Sequence, residues 1–202
     1  MPGIAVALFV VYLLLAFVVR GVLQWKRTGD SGMRLDAERP FSTQWWARLT
    51  FVVGLLAGFA APIAELADRV EPIAALDRPV VTWAGLVLAV VGIASVFVAQ
   101  LRMGASWRVG VDPAETTELV VRWPFSVVRN PIFTAMGVTS VGLALLAPSP
   151  LAIGALVLLG WGVRYQVVEV EEPYLARTHG AAYDDYRARV GRFLPGIGTR
   201  RA

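Results

Sequence analysis

The residues best suited to chemistry sit in two short stretches. One is FSVVRNPIFTAMG, residues 125–137, where Arg129, Asn130 and Pro131 stand together at the head of an apolar run. The other is VVEVEEPYLARTHG, residues 167–180, where Glu169, Glu171 and Glu172 close a second apolar run. Pro131 suits the first turn of a helix, where its missing N–H costs nothing, and Asn130 before it is a good N-cap. Arg129 needs a further reason. A helix start with unpaired N–H groups attracts anions, and a neighbouring guanidinium strengthens the attraction. On a helix Glu169 and Glu172 share a face, and none of the three acids has a basic residue three or four positions away. Either interfacial water compensates them or a cation from elsewhere does: Arg129, Arg164 or a ligand. Solvated acids at a helix end are the plain alternative, but ionisable groups at membrane depth lean functional. One cationic wall facing one anionic wall suits a zwitterionic ligand.

The elements that must carry these residues are membrane helices. The chain has 202 residues, 56% hydrophobic and 17% charged, too apolar for an ordinary soluble domain. A hydrocarbon core takes roughly 20 apolar residues in helical form. Five spans are predicted, at about residues 4–19, 45–66, 80–101, 132–147 and 151–168, with Trp45 and Trp46 as interface anchors and Gly54 and Gly58 allowing close helix contact. Pro148, Ser149 and Pro150 join the last two spans, which makes them an antiparallel hairpin and brings their polar ends side by side. Seventeen of the nineteen Lys and Arg residues fall in connections on one side, and only Arg69 and Arg78 fall on the other. By the positive-inside rule the carboxyl tail is cytoplasmic and the amino end outside. The first span has no preceding positive charge and no cleavage site after it, so it reads as a helix and not as a cleaved signal. With no cysteine and a single histidine, His179, thiolate and histidine-rich metal sites are excluded. No metal site and no nucleic-acid partner is expected.

The order ELVVRWPFSVVRNPIF, an apolar hairpin, then EVEEPYLARTHGAAYDDYRARVGRFLP resembles the integral-membrane methyltransferases related to isoprenylcysteine carboxyl methyltransferase and the phospholipid methyltransferases. Their pattern is Arg-His-Pro-x-Tyr at the head of one helix, Glu-Glu at the end of the next, and a Gly-x-x-Tyr-x-x-Tyr stretch. Arg129, Pro131, Glu171, Glu172, Gly180, Tyr183 and Tyr186 match it. The resemblance implies an all-α membrane fold of about five spans with a cytoplasmic C-terminal amphipathic helix. It also implies S-adenosylmethionine as cofactor, in a cytosol-facing site; the arginine- and alanine-rich composition points to a bacterial plasma membrane. Residues 1–202 then form one domain: three spans up to residue 101, then cofactor loop, hairpin and tail. Thr117, Glu118, Leu119, Val120 and Phe125 fall where the family wraps the cofactor, Asn130, Pro131, Ile132 and Phe133 at its helix-threshold contacts, and Glu171 at its carboxylate contact. Arg129, Arg164 and Glu172 are the residues expected at the reacting end.

This chain departs from the pattern. Asn130 replaces histidine, Phe133 replaces tyrosine, and Val167 stands where the isoprenylcysteine enzymes carry a substrate-binding arginine. Arg164 is the candidate replacement, alongside its reading as a snorkelling residue near a helix end. The implied acceptor is lipophilic or lipidated (an isoprenylcysteine carboxylate-like molecule, a lipid or a small thiol), with membrane lipids as surroundings. Tyr183, Tyr186 and Val190 are spaced to dock a tail helix, with Asp184–Arg187 and Asp185–Arg189 on its wet face. Trp107, in MGASWRVGVDP, reads as an interface anchor. Two other functions are the alternatives: a membrane reductase using a nicotinamide cofactor, which the resemblance admits because such reductases are similar to these methyltransferases in fold, and a non-enzymatic transporter or assembly factor.

Overall fold

A computed structural model of the chain describes residues 1–34, 39–112 and 115–199. Their elements are helical: α1 (Pro2–Thr28), α2 (Thr43–Leu66), α3 (Pro79–Ser106), α4 (Pro131–Leu146), α5 (Pro150–His179) and α6 (Ala181–Arg189). Among the described residues strand-like pairing is limited to three isolated bridges. The helices α1, α2, α3 and α5 are long and apolar enough to cross a membrane, whereas α4 has 16 residues and rises about 24 Å.

Each start has a local cause. Proline opens α1, α3, α4 and α5, where a missing N–H is harmless. Ser42 accepts from the Trp45 N–H at 3.2 Å, and Ser149 accepts from the Ala152 N–H at 3.2 Å, so serine caps α2 and α5. Gly29, in the left-handed region at φ 72°, ends α1.

Small residues decide the pairing. A Cβ on Gly142 would lie 2.3 Å from the Ala89 nitrogen, and one on Gly92 would lie 2.6 Å from the Thr139 nitrogen, so α3 and α4 meet backbone to backbone. Likewise a Cβ on Gly54 would lie 2.9 Å from the Leu159 Cα, which joins α2 to α5. Gly58 faces the Phe9 ring instead. Gly142→Val should therefore force α3 and α4 apart and cost about 1–3 kcal/mol or more. A tryptophan-fluorescence melt in detergent would reveal it as a lower transition temperature than wild type.

The hairpin helices α4 and α5 touch each other far less than each touches its older partner. Helix α1 fills the space between the two pairs, with Tyr12 and Ala16 packed against Ile93, Met136 and Leu159. At the end that carries Arg69 and Arg78 the gap is closed, since the Ile73 N–H donates to the Pro148 carbonyl at 2.6 Å. At the opposite end α4 and α5 stay splayed, and the polar residues gather there.

Candidate active site

Between the splayed ends lies a cavity of about 240 Å³. Its wall contains all ten residues that the resemblance assigned to a cofactor: Thr117, Glu118, Leu119 and Val120, Phe125, Asn130, Pro131, Ile132 and Phe133, and Glu171. Asn130 and Glu171 thus line one space, from the head of α4 and the end of the apolar part of α5.

The acids at the end of α5 are re-phased by local geometry. Residues Gln166–Glu171 form a π-helical turn. Pro173, two residues on, has no N–H and its ring crowds the carbonyl four positions back, which a wider turn relieves. Glu169 is consequently exposed and Glu172 buried, so the shared face expected for an α-helix does not form. Glu171 points to the cavity, where the Gln166 amide donates to its Oε1 at 3.3 Å. It has no basic partner among the described residues.

Glu172 does a different job. Arg129 Nη2 donates to its Oε1 at 2.8 Å, and Arg192 donates to the same carboxylate at 2.6 and 2.8 Å. Beside this carboxylate Arg192 is held above the usual guanidinium value. Arg129 also donates to the carbonyls of Arg187, Val190 and Gly198 at 3.0, 2.6 and 3.1 Å. Its N–H donates to Gly191 O at 2.8 Å, the Asn130 N–H to Arg192 O at 3.1 Å, and the Thr134 hydroxyl to Phe193 O at 2.8 Å. Arg129 lines the cavity, but its guanidinium is spent on Glu172 and on the tail, which is clamped over the head of α4. Asn130, expected as an N-cap, makes no side-chain cap bond; its amide donates to Arg192 O at 3.1 Å. The side-chain NH2 is turned to the tail carbonyl, and the oxygen that a cap would use makes no bond to the helix N–H groups. Arg164 is exposed and lies outside the cavity wall.

The roof comes from two connections. The Arg34 N–H donates to Val109 O at 2.9 Å and the Val109 N–H to Gly32 O at 2.8 Å. Glu115 binds Arg34 and Arg108, Asp30 binds Arg34, and the Tyr174 hydroxyl donates to the Glu115 carbonyl. Trp107, Arg108, Val109 and Gly110 of this roof face the cavity. Arg108 first and Arg34 second hold the Glu115 carboxyl down at about 2, against an ordinary value of 4.5. A depressed carboxyl contributes stability above its unfolded value and loses it as pH falls through the folded one. Protection of residues 104–112 and 115–118 from hydrogen exchange should accordingly be full at pH 6 and decline as the pH is taken from 4.5 towards 2.

Several cavity residues escape the sequence. Trp107 is not an interface anchor: it is 2% exposed, and Arg20 stacks on its ring at 4.6 Å. Tyr186, docked as its spacing predicts, also lines the cavity and donates to Phe125 O at 2.6 Å. On the face of α6, Asp184 and Arg187 form the expected pair at 2.7 Å, whereas Arg189 donates to the Asp185 carbonyl and not to its side chain. Gln166 would be found only by someone counting five residues back from Glu171, the spacing of a π turn.

Known proteins bear on this arrangement in two ways. A 122-residue segment, 60% of this chain, is 29% identical to the nickel-cobalt-cadmium resistance protein NccN of Alcaligenes xylosoxydans xylosoxydans. The chain spans 56% of the length of that curated relative. Residues 80–182, just over half the chain, match the phospholipid methyltransferase family. The matched segment runs from the start of α3 through the hairpin to both glutamates, so the ten cavity residues that the resemblance assigned fall inside it, and this membrane protein belongs to the phospholipid methyltransferase family.

Proposed function

We propose that the protein transfers a methyl group from S-adenosylmethionine to a lipophilic acceptor. The observation that carries this reading is Glu171, a cavity carboxylate whose contact is a glutamine and which faces the start of α4 across the same space. The donor set fits such a cofactor. Glu171 suits a sulfonium or ammonium, the N–H groups at the start of α4 suit a carboxylate, and Phe125 and Phe133 offer aromatic walls for a purine. When bound, the cofactor supplies a methyl group on a positively charged sulfur, open to in-line displacement. The chain's own residues hold, align and keep dry: Thr117–Val120 and Phe125 flank the cavity, the roof over Trp107 excludes water, and the Glu172 clamp fixes the tail.

The basic end, with the cavity, lies on the cytosolic side of a bacterial plasma membrane, and the amino end lies outside. The acceptor enters sideways from the bilayer, between helices. Thermal-shift measurements with S-adenosylmethionine, S-adenosylhomocysteine and reduced nicotinamide test the reading. The first two should raise the melting temperature in a concentration-dependent way. Stabilisation by the nicotinamide alone would point to a reductase on this scaffold, and no response to the sulfur ligands would overturn the proposal.

A further inference from the structure

Gln166 lines the cavity, and neither the ligand contacts nor the tail clamp gives it a part. On a regular helix each residue turns the chain by about 100°, so side chains five apart point about 140° away from each other. The π turn at Gln166–Glu171 widens the helix by one residue and brings its two ends over one another. The Gln166 amide therefore meets Glu171, which also lines the cavity, and donates to its Oε1 at 3.3 Å. An ionised carboxylate only accepts, so the amide presents its NH2 to it and not its oxygen. Glu171 Oε2 makes no hydrogen bond among the described residues. One oxygen of the carboxylate is held and the other is uncommitted.

The charge of the donor matters as much as its reach. Arg129 and Arg192, the cations at this end of α5, both donate to Glu172. A lysine at position 166 could reach Glu171 from the same turn, but it would cancel the charge that a cationic ligand needs. Glutamine orients the carboxylate and leaves its charge in place. A neutral hydrogen bond is also the weaker one, so a charged ligand group outcompetes it.

We propose that Gln166 is a positioning residue, which holds the Glu171 carboxylate across the π turn and, because it is neutral, keeps that carboxylate open to a ligand cation, a sulfonium or an ammonium. The inference rests on the methyltransferase reading for the identity of that cation. The pairing of the two side chains stands without it.

The test uses the full chain in detergent, with calorimetry against S-adenosylmethionine and S-adenosylhomocysteine. Gln166→Met keeps the length and removes the donor, and it should weaken S-adenosylmethionine binding about 5- to 10-fold. Gln166→Lys should weaken it about 100-fold, because the ammonium takes the place of the ligand's cation. In a Glu171→Gln background the further effect of Gln166→Met should shrink to within about 2-fold, which a merely structural residue would not do. A loss shared by S-adenosylhomocysteine places the ammonium at Glu171, a loss confined to S-adenosylmethionine places the sulfonium there, and either supports the inference. Without any ligand, Gln166→Lys should melt about 2–4 °C above Gln166→Met, and the margin should vanish once Glu171 is replaced. Binding by Gln166→Lys within about 3-fold of wild type, or a Gln166→Met loss that persists without Glu171, overturns the inference. If wild type binds neither sulfur ligand, the methyltransferase reading fails, and the melting comparison alone decides whether residue 166 governs the Glu171 carboxylate: no margin overturns the pairing.

Discussion

Glu172→Ala is expected to lose about 3–5 kcal/mol of stability, because it strands two guanidinium groups that share one buried carboxylate. The side chains of Arg129 and Glu172 are 2% and 8% exposed, so water cannot replace the missing charge. Arg129 would keep its tail carbonyls but hold an uncompensated cation under the C-terminal segment, and Arg192 would lose both of its contacts to Glu172. The tail should then detach from the head of α4. A tryptophan-fluorescence melt, with proteolysis of residues 190–199 as a second probe, measures both effects. A shift equivalent to less than about 1 kcal/mol would mean that the triad is an ordinary surface pair.

Its neighbour should behave in the opposite way. Glu171→Ala removes a carboxylate that has no cationic partner among the described residues, so the fold should tolerate the change. What disappears is one charge-assisted contact to a cationic ligand, worth about 10- to 100-fold in affinity for S-adenosylmethionine. Calorimetry in detergent compares the variant with wild type, and the melting temperature serves as the control. Affinity within about 2-fold of wild type would remove Glu171 from the binding site. Two adjacent glutamates therefore separate stability from ligand binding.

The spans were readable because bilayer thickness fixes the length of an apolar helix whatever the neighbours do. The ten residues assigned by the family resemblance all line the cavity, and the short hairpin explains why the threshold of α4 and the end of α5 come together there. What escaped depends on packing between distant parts of the chain. Phe17, Phe51 and Gln100 reach the cavity because glycine contacts assign α3 to α4 and α2 to α5, a pairing that hydropathy does not encode. A period of 3.6 puts Glu169 and Glu172 on one face, and the π turn at Gln166–Glu171 breaks that period. The cap expected of Asn130 does not form because its amide donates to the carbonyl of Arg192, 62 positions later, and nothing in residues 125–137 announces that partner.

That long reach has a consequence for biosynthesis. Arg129 binds carbonyls that lie 58 to 69 residues after it, so these contacts wait for the last part of the chain. A chain lacking residues from 187 on would keep the Arg129–Glu172 pair but lose the carbonyls that hold the tail over the head of α4.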